Sequence, residues 1–130
     1  MIYPFRLLPK QDLRGEIEKY AKENGVSAGF IITCVGSLEK AVLRLSDEKV
    51  KEFSEHYEIV SLVGTVCSDG SHLHMSIADK DGIVYGGHVK YGCIVYTTAE
   101  VVLGSAENLK FNRVRDEKTG FDELSITHIK

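Results

Sequence analysis

Residues 72–88 read HLHMSIADKDGIVYGGH, and this stretch predicts a β-hairpin that brings three histidines onto one face. The tetrapeptide Asp79–Gly82 has Asp at the first and Gly at the fourth position of a type I turn. A three-residue hairpin loop of this kind ends with a glycine in the left-handed conformation, placed as a bulge. The resulting register sets His74 directly opposite His88, and His72 lies two residues along the same face of its strand.

The opposite face of the same hairpin supports this register. Except for one glycine, its side chains are apolar, as a face packed against a core requires. They are Leu73, Met75, Ile77, Tyr85, Gly87 and Val89. A register shifted by one residue would instead place His88 on the opposite face from His74 and bury it against Met75. The turn residues and the hydrophobic pattern therefore agree.

Three converging imidazoles are typical of a metal site, and zinc is the first candidate. Zinc takes neutral imidazole nitrogens at about 2.0 to 2.1 Å and accepts four ligands, so His72, His74 and His88 would leave one position open. That position could hold water, a carboxylate such as Glu100, or a ligand from a neighbouring subunit. Another divalent transition metal (nickel, copper or iron) would also accept imidazole. The competing interpretation is a set of hydrogen-bonded polar side chains on a partly exposed sheet, and metal ligation is favoured over it.

Glycines crowd the predicted site. Gly70 precedes the first histidine, and Gly86 and Gly87 directly precede the third. They have two equally weighted interpretations: turn and bulge formation, or missing side chains that open space for a ligand or let another backbone approach the metal. The remaining histidines, His56 and His128, are predicted to be ordinary surface residues.

The composition is that of an ordinary soluble globular chain, and residues 1–130 are predicted to form one domain. The 16 basic and 19 acidic residues give a net charge of −3, which lacks the basic footprint of most nucleic-acid-binding proteins. Cys34, Cys67 and Cys93 form no C-x-x-C pair and are predicted to be buried and reduced. No segment has the apolar length of a signal peptide or a membrane span, so no membrane association and a cytoplasmic location are expected.

The rest of the chain predicts one principal amphipathic helix and several more strands. The helix covers residues 12–24, and Gly25 supplies its stop. Its apolar stripe consists of Leu13, Ile17, Tyr20 and Ala21. The predicted strands cover residues 28–35, 38–45, 58–66, 72–78, 83–90 and 93–103. Successive strands with few helical intervals favour a mainly antiparallel sheet in a single compact α+β domain.

The tail from Phe111 to Lys130 is harder to interpret. Arg113, Arg115 and Lys118 make a local basic run, but acidic residues interrupt it. A solvated face is therefore favoured over a phosphate site.

Several strings of residues together form a specific signature. They are the H-x-H pair that begins at His72, the G-G-H of residues 86–88 and the T-T-A-E-V of residues 97–101, with support from G-S-L at residues 36–38 and E-I-V-S-L-V-G at residues 58–64. With them the chain resembles the PPC domain, the domain conserved in plants and prokaryotes. It is similar in particular to the prokaryotic stand-alone members of this family.

The resemblance implies a compact α+β fold around an antiparallel sheet, assembled as a homotrimer. It also implies a metal site at His72, His74 and His88, and it places Arg44 and Glu100 at recurrent polar positions that support the metal or bind a ligand. Plant relatives carry an AT-hook, an R-G-R-P segment that enters the minor groove of DNA. This sequence contains no such segment.

The sequence and the resemblance are consistent with three functions. The favoured one is a cytoplasmic, metal-binding homotrimer whose three-histidine site binds, or acts by hydrolytic or lyase-type chemistry on, a small anionic or polar ligand. The alternative is a DNA-binding or transcription-regulatory interaction module that acts through the trimer surface or a partner. In the third, the metal only holds the assembly together. No reaction follows from the sequence.

Overall fold

Nine strands and one helix follow one another along residues 1–129, the part of the chain that the computed structural model describes. In chain order they are β1 (Ile2–Leu7), α1 (Leu13–Glu23), β2 (Gly29–Arg44), β3 (Val50–Phe53), β4 (Tyr57–Cys67), β5 (Gly70–Ala78), β6 (Val84–Val89), β7 (Ile94–Ser105), β8 (Leu109–Arg115) and β9 (Asp122–His128). Seven strands form one sheet, and β8 and β9 form a separate hairpin.

The seven-stranded sheet is antiparallel and folds back on itself. Its strand order is β1-β7-β2-β4-β5-β6, with β3 paired to β2. At the far edge β6 also pairs with the end of β2, where Leu43 lies opposite Val89 and Arg44 opposite His88. This extra pairing joins β2, β4, β5 and β6 into a closed loop of strands around the core. The prediction of a single compact α+β domain with a mainly antiparallel sheet and one helix is confirmed.

Helix α1 packs its apolar stripe against the sheet and has clear start and stop signals. Leu13, Ile17 and Ala21 are at most 1% exposed. The Asp12 carboxylate caps the helix by accepting a hydrogen bond from the backbone N–H of Gly15 at 2.9 Å. Gly25 follows the helix with a φ of +66°, a left-handed conformation that glycine adopts easily. Among residues 1–129, no helix is long and apolar enough to cross a membrane.

The predicted central hairpin forms in the predicted register. The backbone N–H of Gly82 donates to the carbonyl of Asp79 at 3.0 Å, and Gly82 has a φ of +80°. His74 pairs with His88, as the turn predicted. The apolar face of the hairpin also lies in the core, where Leu73, Met75, Ile77 and Val89 are at most 2% exposed.

Two predicted strands, residues 28–35 and 38–45, are one continuous strand, β2. The separation expected at Gly36 and Ser37 is wrong because Gly36 is an extended position at which β7 comes very close. A Cβ at Gly36 would lie 2.1 Å from the carbonyl oxygen of Thr98. This glycine therefore permits close strand packing and does not mark a turn.

Four short strands were not predicted from the sequence. Strand β1 contains Pro4, which breaks a strand pattern but is tolerated at the edge of a sheet, where β1 lies. Strand β3 has four residues and also pairs on one side. Strands β8 and β9 are mostly polar or exposed, and the apolar alternation in each spans only two residues, Leu109 and Phe111 in β8 and Leu124 and Ile126 in β9. That is too short to mark a half-buried strand.

The three cysteines are free and buried, as predicted. Burial raises the pKa of the Cys34 thiol to about 12 and that of the Cys93 thiol to about 11. These thiols therefore remain protonated at neutral pH and behave as small core side chains.

Candidate metal centre

His72, His74 and His88 converge on one face of the closed sheet. The pleat of β5 places His72 and His74 on the same face, and the hairpin register adds His88 of β6. Ring centroids are 5.0 Å apart for His72 and His74, 5.1 Å for His72 and His88, and 5.6 Å for His74 and His88. The three rings therefore surround one point.

Arg44 extends the row of side chains that contains two of these histidines. Residues directly opposite one another in neighbouring strands share a face of the sheet. Val63 of β4 pairs with His74 of β5, His74 pairs with His88 of β6, and His88 pairs with Arg44 at the end of β2. The guanidinium group thus stands beside the imidazoles because β2 and β6 close the sheet.

Burial and neighbouring positive charge keep two of the imidazoles neutral. Burial lowers the pKa of His88 to about 4, with a further contribution from the Arg44 guanidinium. Burial also lowers the pKa of His72 from its ordinary value, and the positive charge of Arg113 adds to the effect. A neutral imidazole has a free lone pair, so these two side chains are in the metal-binding form at pH 7.

The donor set fits a divalent transition metal. Each imidazole offers one nitrogen, and these nitrogens lie within 4.8 Å of one another. A tetrahedral zinc with bonds of about 2.0 to 2.1 Å needs ligand atoms about 3.3 Å apart, so side-chain rotations that move the nitrogens by about 1.5 Å complete the site. Nδ1 of His88 is buried and has no hydrogen-bond partner among residues 1–129. An unpaired buried polar atom costs about 1–3 kcal/mol, which coordination or a bound ligand would remove.

A cleft of about 720 Å³ opens beside two of the three histidines. His74 and His88 line this cleft. So do three residues that were predicted to support the site: Arg44, Gly86 and Gly87. A Cβ at Gly87 would lie 2.8 Å from the carbonyl oxygen of Arg44. Strand β6 pairs with β5 without a bulge from residue 84 to residue 88. Gly87 therefore permits the close pairing of β6 with β2.

Glu100 lies apart from the histidines within this chain. It is in β7, opposite Arg6 of β1 and Val35 of β2. Its carboxylate accepts a hydrogen bond from the Thr98 hydroxyl at 3.5 Å. It lines none of the three cavities that touch the histidines. The other two histidines, His56 and His128, are exposed, as predicted.

The C-terminal hairpin β8–β9 supplies site residues that the sequence did not indicate. Two further cavities, of about 400 and 140 Å³, touch His72. Arg113 of β8 and Glu123 of β9 line both of them, and Phe121 lines the smaller one. The hairpin therefore covers the histidines from the side opposite the central sheet.

Arg113 is half-buried and anchored, so the prediction of a solvated face is wrong at this position. Its Nη2 donates to the Thr65 hydroxyl at 2.6 Å, and its backbone N–H donates to the Asp69 carboxylate at 3.0 Å. Phe111, two residues earlier and on the same face, is 8% exposed and packs in a small second core. That spacing is the signal that could have predicted an inward-facing Arg113. Arg115 and Lys118 are exposed, as expected.

Comparison with known proteins places this arrangement in a family. The family model of the Plants and Prokaryotes Conserved (PCC) domain matches residues 1–107. This chain belongs to the PCC domain family. It is the family that the H-x-H, G-G-H and T-T-A-E-V strings resemble. The hairpin β8–β9, which carries Arg113 and Glu123, lies beyond the matched residues.

Two curated relatives of this PCC domain, from strains of Synechococcus, are named bifunctional protein GlmU. One is 46% identical over 129 residues, which are 98% of this chain and 21% of that protein. The chain therefore spans about a fifth of the length of the curated relatives it matches.

Solved structures share the whole fold. A hypothetical protein from Salmonella cholerae-suis is 35% identical with a TM-score of 0.95, over 98% of this chain and 94% of that one. A protein from Archaeoglobus fulgidus described as metal-containing is 32% identical with a TM-score of 0.81, over 96% and 93%. A protein from Bacteroides thetaiotaomicron described as a candidate DNA-binding protein is 22% identical with a TM-score of 0.85, over 95% and 91%, which is a likeness of fold alone.

Proposed function

We propose that this PCC-domain protein holds zinc, or another divalent transition metal, at His72, His74 and His88, and exposes it to a small ligand in the adjoining cleft. The observation that carries the proposal is the convergence of three imidazole nitrogens within 4.8 Å beside a cleft of about 720 Å³. The likeness to a metal-containing protein from Archaeoglobus fulgidus at 32% identity supports it.

A metal held by three imidazoles has a position left for a ligand. When bound, zinc would polarise an oxygen of that ligand or lower the pKa of a bound water to about 7. Among the chain's own residues, Glu123 lines both cavities beside His72 and supplies a carboxylate that can accept a proton. Arg44 supplies a positive charge beside His88 for an anionic group.

Elemental analysis of the purified protein tests the metal directly. We expect one metal ion per chain in the wild type after zinc loading, and little in His72→Ala or His88→Ala, because each substitution removes one of three ligands. His56→Ala is the matched control, since His56 is exposed and stacks on Tyr96 instead. Stoichiometric metal in His88→Ala would show that the histidines do not hold it.

We further propose that the chain assembles as a homotrimer through an apolar patch beside the site. Strands β2 and β4 are neighbours in the sheet, and each carries two valine or isoleucine side chains that are about half exposed: Ile32 and Val35 in β2, and Val60 and Val63 in β4. Val63 pairs with His74, so a neighbouring subunit on this patch would lie next to the histidines. Such a neighbour is also the route by which a distant carboxylate such as Glu100 could approach the metal.

Native mass spectrometry before and after chelation tests the assembly. A trimer that persists after the metal is removed supports the proposal that the metal at the histidines binds a ligand. Subunits released by chelation would show instead that the metal holds the assembly together. A monomeric wild type, or a trimer unaffected by Val60→Glu, would refute the patch as the interface.

We place the protein in the cytoplasm. Three buried thiols without a disulfide suit a reducing compartment. Cell fractionation tests this location, and recovery from a secreted or membrane fraction would refute it.

DNA binding is the second candidate function, supported by the structural neighbour from Bacteroides thetaiotaomicron with that description. The net charge of −3 opposes it. Binding to duplex DNA that weakens as salt rises would favour this function, because phosphate contacts release counterions. Absence of binding at low salt would exclude it.

A further inference from the structure

We propose that Arg113 of the C-terminal hairpin and Arg44 of the sheet form a receptor for the carboxylate group of a small ligand at the histidine site. This inference rests on the proposed metal function and names the chemical class of the ligand. Arg113 is the new element, because it lies beyond the residues that the family model matches.

The two arginines line one small cavity. That cavity, of about 140 Å³, is lined by Arg44 and Arg113 together with His72 and His88. Arg44 reaches it from the central sheet, where it pairs with His88. Arg113 reaches it from β8, where Thr65 holds one arm of its guanidinium group. The site thus has two positive groups on separate elements with two imidazoles beside them.

Neither guanidinium group is neutralised by an acidic partner. Among residues 1–129, no carboxylate lies within ion-pair distance of Arg44 or Arg113. Nε of Arg113 is buried and, within the same residues, has no hydrogen-bond acceptor. A buried guanidinium donor without an acceptor is costly, so a bound anion would stabilise it. This unmet donor of Arg113, in a cavity that it shares with the unpaired Arg44, is the observation that points to an anionic ligand.

The positions of both arginines are set before any ligand binds. The guanidinium carbon of Arg44 lies 5.5 Å from the centroid of the Phe121 ring, a cation–π contact. Arg113 is held by Thr65 through its side chain and by Asp69 through its backbone. Donors that are already oriented lose less conformational entropy when they bind a planar carboxylate.

Charge and space favour a carboxylate over a phosphate. Asp122 and Glu123 line the same small cavity, so a phosphate group, which carries up to two charges on one centre, would meet more repulsion there than a single carboxylate group, which carries one. Arg44, His88 and Phe121 also line the 720 Å³ cleft. A carboxylate in the small cavity would therefore leave the rest of the ligand in the larger cleft.

Calorimetric titration with malonate, and with inorganic phosphate at matched ionic strength, tests the receptor on the zinc-loaded protein. We expect malonate to bind more tightly than phosphate. Arg113→Gln and Arg44→Gln should each raise the malonate Kd about tenfold or more, the usual scale for losing a charged hydrogen bond. Arg113→Lys keeps the positive charge but loses the paired donors of the guanidinium group, so its malonate Kd should lie between those of the wild type and Arg113→Gln. Arg115→Gln, an exposed change on the same strand, should shift the Kd less than about twofold.

Metal content and thermal unfolding of every variant separate the outcomes. A fully folded, metal-loaded Arg113→Gln protein that binds malonate like the wild type refutes the receptor while the metal function stands. Tighter binding of phosphate, or no malonate binding by the wild type, also overturns it. The titration is repeated without zinc. A chain that takes up no metal, but whose malonate binding still depends on Arg113, refutes the metal proposal alone.

Discussion

Substitution of Gly64 by alanine should both destabilise the fold and disturb the histidine site. Gly64 lies in β4 opposite Leu73, next to the strand position of His72. Its φ is +148°, and a Cβ there would lie 2.0 Å from the backbone carbonyl oxygen of His72, where ordinary contacts begin at 3.4 Å. Strands β4 and β5 would therefore have to separate by about 1.4 Å, and the obstacle is backbone, which a side-chain rotation does not relieve.

Two effects should lower the free energy of unfolding of Gly64→Ala. Backbone strain at an unfavourable φ costs about 1–3 kcal/mol, and overpacking costs about 1–3 kcal/mol more. The free energy of unfolding, measured by urea titration of the metal-free protein, should fall by about 2–6 kcal/mol. Because the displaced strand carries His72, zinc affinity measured by competition with a chelator should fall about tenfold or more, the scale seen when support of a metal ligand is removed.

Gly82→Ala is the matched control for this prediction. Gly82 also has a positive φ, +80°, but a Cβ there would meet nothing within 4 Å. It should lose only the cost of the left-handed backbone, about 1–2 kcal/mol, and keep its zinc affinity. If Gly64→Ala matched Gly82→Ala in both stability and zinc affinity, the argument from close strand approach would be refuted.

Three further predictions concern other parts of the molecule. Burial lowers the pKa of His88 from about 6.5 to about 4 in the folded, metal-free protein. Between these two pH values His88 is therefore protonated in the unfolded chain and neutral in the folded one. The protein's free energy of unfolding should therefore fall as the pH drops through this range, and an unchanged slope in His88→Gln would contradict this cause. Phe111→Ala, which empties the small core under the C-terminal hairpin, should cost about 3–5 kcal/mol in urea unfolding, whereas Val114→Ala on the exposed side should cost little. Asp12→Ala removes the acceptor for the backbone N–H groups of both Gly15 and Gly92, so it should cost at least the loss of a helix cap, about 0.5–2 kcal/mol, in thermal or urea unfolding. A cost no greater than that of the exposed Asp47→Ala would show that neither hydrogen bond contributes to stability.

The parts of the fold that were predicted correctly depend on local chemistry. Helix α1 needs only the spacing of Leu13, Ile17 and Ala21 and the stop at Gly25, all within one short segment. The central hairpin likewise needs only its turn residues and the alternation on either side. Each of these signals lies between residues close in sequence, so the sequence can be interpreted without knowledge of the rest of the chain.

The parts that were not predicted depend on where distant strands come to rest. Gly36 resembles a break until β7 is placed against it, and Pro4 resembles a break until β1 is known to be an edge strand. Strands β8 and β9 have little apolar alternation because they pair mainly with each other, with Phe111 as their buried anchor. Composition and periodicity carry no information about such neighbours.

The candidate site divides in the same way. The sequence by itself determined that His72, His74 and His88 share one face, because a pleated strand alternates its side chains and the type I turn with its bulged glycine sets His74 opposite His88. Only the tertiary structure decided what surrounds them. Arg44 stands beside His88 because β6 closes the sheet onto β2, and Arg113 and Glu123 reach the histidines because the C-terminal hairpin packs over them. These contacts join residues far apart in the chain, so they follow from the packing of the whole core and not from any local pattern.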